Sequence, residues 1–334
     1  MPLLTNEYLN YSPKVPQILY HYCSTHAFLS IIKNSNLWLA DASKTNDETE
    51  LIGLFENISN IIDDILLQYK SIFTKETILQ AKVCSELVIK NLISGEAPIV
   101  NNSKNLLICF SEARDLLSQW RAYSNNGQGL AIGFNSEYLK EFVSSTSYGF
   151  TKVIYNKKDS NRLLYKGICE QLKWSIQDAL DEKNHLNAQT LLLNLSQVIF
   201  SIFQEGFVFK HDSFSEEREW RIMKRFASSN FNDSDGVDDY GYAEFLDGIF
   251  RANPDYCSSF SRSELKYKSI DDDIRTYIEL GFEKIKSKFI KEIIIGPKCN
   301  ISELDIKLML TQFGYIDDIY SDSIKIAHSN APYR

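Results

Sequence analysis

The sequence predicts an α+β fold: one domain with a mixed or antiparallel, or split, central sheet and two helical insertions, at about 51–93 and 160–209. Three observations predict it. Short apolar runs bounded by turn residues recur at Ile18–Tyr22, Leu106–Ser111, Gly129–Phe134 and Ile290–Gly296, and read as buried strands. They are interleaved irregularly with stretches of helical periodicity, and no internal repeat is visible. No Pro- or Gly-rich linker divides the 334 residues, of which 44% are hydrophobic and 13% aromatic, enough to bury a sizeable core.

In chain order, Ile18–Tyr22 reads as a strand. Thr25–Asn34 reads as a helix, with Phe28, Leu29, Ile31 and Ile32 on its apolar face and Ser24 as cap. Leu37–Ala40 is a second short strand, followed by polar turn chemistry over Asp41–Thr49. From Leu51 to Ile93 the pattern is helical, broken near Ser71. Gly95–Asn105 reads as a loop, Leu106–Ser111 as a strand and Leu116–Tyr123 as a short helix. Asn125-Asn126-Gly127 is a strong turn signal before the strand Gly129–Phe134. Thr151–Tyr155 and Glu217–Met223 read as strands on either side of the second helical block. The acidic, Gly- and Asp-rich stretch Ser228–Gly241 reads as a mobile loop. Ile274–Lys288 fits a helix, Ile290–Gly296 a strand, Ser302–Phe313 a helix and Ser323–Ala327 a last strand.

Composition narrows the function. A net charge of −8 argues against a wholesale electrostatic grip on nucleic acid and leaves room for a local basic patch. No apolar run reaches the length of a membrane span, and Met1–Val15 carries no secretory pattern, so a cytoplasmic protein without membrane contact is expected. Six scattered cysteines without a CxxC pair fit free thiols in a reducing compartment. Five histidines lack HxxxH and HExxH spacing, so no transition-metal site is signalled.

Three motifs carry chemistry. His21 stands in the middle of an apolar strand, where its ring needs hydrogen-bond partners; Ser24, at the helix start, is a candidate neighbour. The alternative is a satisfied core histidine. Trp120 and Tyr123 lie three apart on one helix, a candidate aromatic wall for a flat ring. Gly127, Gly129 and Gly133 follow; they allow close backbone approach but precede a strand, so they are not a dinucleotide fingerprint. An aromatic core beside a glycine turn explains this motif equally well. In Glu217-Arg218-Glu219-Trp220-Arg221-Ile222, alternation puts Trp220 and Ile222 in the core and Glu217, Glu219 and Arg221 on the other face. A guanidinium there would hold a carboxylate ionised, and a solvated charged face is the alternative.

The ordered set LYHY, LW, NDxxE, CFSE, QW, GLAIGF, EEREWRI and IIIGPK, from about Leu19 to Lys298, resembles the bacterial domain-of-unknown-function family 2971. Asp47-Glu48 stands where that family more often has Asp-Pro, and Arg121-Ala122 precedes Tyr123 where a histidine is common. A more distant resemblance runs to ADP-ribosyltransferase-type domains, through the opening strand, helix and short Leu-Trp strand. It implies NAD as a substrate, with Glu219 and Tyr123 as catalytic residues and His21, Ser24, Trp120 and Ser124 as NAD-binding residues. It further implies a nucleic acid or protein acceptor, a role as a bacterial toxin or phage-defence effector, and an antitoxin or regulatory partner. Two other readings stand beside it. One is a metal-dependent nuclease or phosphoesterase using Asp47, Glu50 and Glu217 or Glu219. The other is a non-catalytic ligand-sensing or binding module.

Overall fold

In a computed structural model, residues 13–42, 50–94, 103–144, 148–181, 188–205, 208–227, 265–270 and 272–333 are described. Their ten strands form one mixed sheet with helices on both faces, the coarse architecture expected from the sequence. Every pairing between strands is antiparallel except the last, β9 (Ile290–Ile295) with β10 (Lys325–His328).

The site is built around β3 (Ser103–Ser111). One edge of β3 pairs along its whole length with β6 (Glu219–Ala227), from Ser103 opposite Ala227 to Ser111 opposite Glu219. The other edge is shared by two strands. β1 (Ile18–Cys23) meets it only at Tyr20 opposite Ser111, and β2 (Asn36–Asp41) only at Leu106 and Leu107. Between these contacts the sheet forks. β1 continues into β4 (Leu130–Asn135) and then β9, while β2 continues into β8 (Asp273–Gly281) and β7 (Lys266–Ile270).

Side-chain alternation sorts the core onto two faces. Leu106, Ile108, Phe110, Trp220 and Ile222 face one cluster, which also holds Phe28, Ile31 and Ile32 of α1 (Thr25–Asn34). The chain leaves α1 through Ser35 at φ 48°, with no glycine there. Leu107 and Met223 face the second cluster, made by α2 (Glu50–Gln68), α3 (Lys75–Ile93), α6 (Lys157–Asp181) and α7 (Ala188–Glu205). The two insertions thus pack on each other, α3 against α7 and α2 against α6, and cover one face of β3 and β6. Between them in the chain lie α4 (Leu117–Tyr123), β4, α5 (Ser136–Ser144) and β5 (Gly149–Lys152), the last pairing with β6.

Two expectations need correction. Residues 274–281 are strand, not helix. Ile274, Tyr277 and Ile278 fit a helical stripe, but Ile278, Leu280 and Phe282 are buried at period two, and β2 and β7 supply ladders on both edges. The helix expected there is confined to a single turn, α8 (Lys286–Phe289), before β9; α9 (Glu303–Gln312) follows as read. Glu217 ends a 3₁₀ turn over Asp212–Glu217 and β6 begins at Glu219, because Arg218 adopts φ 45° and breaks the strand. α5 and β7 carried no sequence expectation. The stretch Ser228–Gly241 lies outside the described residues.

Candidate functional site

At the fork, the ladder that would pair Cys109 with Tyr22 is absent, and a side chain takes its place. The His21 Nδ1–H donates to the Cys109 carbonyl at 2.9 Å. A carbonyl only accepts, so Nδ1 carries the proton and Nε2 presents a lone pair. Burial holds His21 below its usual pKa, against the opposing pull of that bond, so the ring is neutral at neutral pH. The partner is thus Cys109 and not Ser24, whose hydroxyl accepts from Ala27 N at 3.2 Å as the α1 cap.

Beside His21 a cavity of about 60 Å³ opens, room for a few waters or one small head group. Tyr20, His21 and Tyr22 come from β1, Cys109 and Phe110 from β3, Gln119 and Tyr123 from α4, and Glu217 and Glu219 from the turn and start of β6. His21, Tyr123 and Glu219, far apart in sequence, are therefore neighbours on one wall system.

The acidic side is a neutralised cluster. Arg221 Nε donates to Glu219 Oε1 at 2.8 Å and Nη2 to Oε2 at 3.2 Å. Lys210 Nζ bridges Glu217 Oε2 at 2.8 Å and Glu219 Oε2 at 3.1 Å. The Tyr123 hydroxyl donates to Glu217 Oε1 at 3.1 Å, and Glu219 N donates to the Tyr155 hydroxyl at 2.8 Å. The Ser111 hydroxyl fixes the turn by donating to the Glu217 carbonyl. Burial pushes the Glu219 carboxyl up, but Arg221, by charge and hydrogen bonds, and then Lys210 outweigh it and hold it at about 2. Burial likewise pulls Lys210 down, yet Glu219 and Glu217 keep it well above its usual value. The Cys109 thiol is pushed up by burial and by Glu219, to which it donates, so it is an inert thiol here.

The other sequence candidates are committed elsewhere. Trp120 is fully buried, packs edge-on against Tyr22 at 4.8 Å and gives its indole N–H to Asp115 Oδ1 at 2.6 Å. Ser124 is buried and donates to the Cys23 carbonyl at 3.0 Å. Neither lines the cavity, and neither does Ser24. Of the metal reading, Asp47 and the Glu50 side chain lie outside the description, while Glu217 and Glu219 are each already bound by a cation. Among the described residues, no three His, Cys, Asp or Glu side chains are grouped to hold a metal ion.

Lys210 and Gln119 are among the lining or supporting residues that were missed from sequence. Lys210 follows a helical block and carries no pattern that ties it to Glu217. Gln119 sits beside Trp120 on a short amphipathic helix, where an amide reads as solvent-facing; only its place in the QW pair hinted at it.

Residues 119–222 match the family model described as Protein of unknown function (DUF2971). The match spans α4 through the first half of β6, and so covers Gln119, Tyr123, Lys210, Glu217 and Glu219. It supports the resemblance to that family read from the motifs. Neither the curated proteins nor the solved structures give a match to this chain.

Proposed function

We propose that the cavity is the reaction centre of an NAD-dependent ADP-ribosyltransferase that modifies a nucleic acid or a protein, in the manner of a toxin or defence effector. One observation carries the reading: His21, Tyr123 and Glu219, from three separated motifs, line a single cavity. In the reaction an acceptor nucleophile bonds to the ribose carbon as the bond to nicotinamide breaks. The ring leaves with the bonding pair and becomes neutral, and the acceptor loses a proton. Positive charge builds on the sugar between these events, as in glycoside hydrolysis. Glu219, ionised and held rigid by Arg221, is placed to stabilise that charge more than the ground state. Neutral His21 offers Nε2 to a ribose or amide donor and acts by positioning. Tyr123, anchored on Glu217, closes the wall.

The test is transfer of label from adenine-labelled NAD to macromolecules of a cell extract. Labelled nucleic acid or protein is expected with the wild-type chain, and none with Glu219→Gln. Because that variant removes the carboxylate charge held between Arg221 and Lys210, its fold is checked by circular dichroism, and Tyr123→Phe provides a milder second variant with reduced labelling. No label transfer by the folded wild-type chain, with any extract, overturns the reading.

A second reading, a binding module without catalysis, is favoured by one feature. Both Glu219 oxygens are already engaged by Arg221 and Lys210. It expects NAD or a related ligand to bind and remain intact.

A further inference from the structure

Gln119 has a property that no other polar side chain of the cavity wall shares. It is 6% exposed, lines the cavity, and its side chain makes no hydrogen bond with any described residue. Its amide is met from the cavity, where a water or a ligand group supplies the partner that the described residues do not. The phenols around it are committed. Tyr20 donates to Glu292 Oε2 at 3.1 Å, Tyr22 to the Ala113 carbonyl at 2.8 Å and Tyr123 to Glu217 at 3.1 Å. Two residues of the cavity wall therefore keep an unengaged function: the Gln119 amide, which both donates and accepts, and the His21 Nε2 lone pair, which only accepts. A carboxylate, ionised at neutral pH, has no proton to give to His21 Nε2. An uncharged group with a donor and an acceptor side by side satisfies both.

We propose that Gln119 and His21 form a recognition pair for a primary carboxamide, whose NH₂ donates to His21 Nε2 and whose carbonyl accepts from the Gln119 NH₂. Gln119 is then the residue that selects an uncharged head group over an acidic one. For the ring that carries the amide, this rests on the NAD reading, in which the departing base is nicotinamide.

The experiment titrates the full chain with nicotinamide and with nicotinate, its carboxylate counterpart, by calorimetry at neutral pH. Wild type is expected to bind nicotinamide at least about tenfold more tightly than nicotinate. Gln119→Met, uncharged and of similar length, should lose about tenfold in nicotinamide affinity with nicotinate unchanged. It should melt no lower than wild type, because the substitution leaves no partner stranded. Equal affinity for the two probes, no binding of either, or an unchanged nicotinamide affinity in Gln119→Met overturns the recognition pair. Failure of the NAD reading looks different: nicotinamide is then discriminated from nicotinate, yet NAD is never cleaved. Conversely, cleavage of NAD without discrimination leaves the transferase and removes the pair.

Discussion

Glu219 and His21 both set acid-side pH boundaries on the stability of the site, at different pH. Glu219 has a folded pKa of about 2 against an ordinary 4.5, so its contribution is fully present above about pH 4.5 and is lost as pH falls through 2. That shift corresponds to stability on the order of 3 kcal/mol. His21 is also held below its ordinary value, here 6.5, so the unfolded chain takes up a proton that the folded chain refuses. Stability therefore starts to decline below about pH 6.5, before the carboxylates titrate. Urea unfolding followed by tryptophan fluorescence should show a falling midpoint between neutral pH and pH 5.5. His21→Gln should flatten that part of the curve, and an unchanged slope would show that His21 does not cause it. At this scale the sequence was informative about residue type. It pointed to His21, Tyr123 and Glu219, but Lys210 and Gln119 acquire their meaning only from neighbours that the topology brings.

Elements carry their own constraints. The turn Asn125–Gly127 runs through three consecutive positive φ values and delivers the chain to β4, whose first residues abut β1. A Cβ on Gly129 would lie 2.0 Å from the Cys23 carbonyl and 2.6 Å from Ser124 Oγ. The glycines of this motif thus serve backbone packing; Gly296 N also donates to the Gly129 carbonyl at 3.0 Å. Gly129→Ala should cost about 3 kcal/mol through overpacking at the β1–β4 seam, next to the His21 strand. Denaturant melts measure this, and a change within error of zero would contradict the packing described. β8 shows why pattern alone misleads: residues 274–285 satisfy a helical stripe and a strand alternation at once. The partners β2 and β7, distant in sequence, decide between them. The start of β6 was read two residues early for a related reason, since the left-handed Arg218 is invisible to alternation.

Across the molecule, two cores separated by the sheet hold β3 and β6 between them, while β7 and β10 lie at the ends of the strand order. Backbone amides of β3 and β6 should therefore exchange most slowly in native-state hydrogen exchange, and those of β7 among the fastest of the strands. Equal protection across the sheet would contradict this arrangement. The α+β class and the two helical blocks were legible because apolar periodicity records them directly. The fork between β1 and β2 was not, because it depends on which strands share an edge of β3, and no local pattern encodes that. The fork is what leaves the β3 side of β1 unpaired at His21, where the cavity lined by His21 and Glu219 opens.

The most direct test is chromatographic measurement of free nicotinamide released from NAD by the full chain in the presence of cell extract. Time-dependent release by the wild-type chain, lost in Glu219→Gln and reduced in Tyr123→Phe, is the expected result. Release equal to that of extract alone, from a folded chain over a range of extracts, would contradict the assignment of this cavity to ADP-ribosyl transfer.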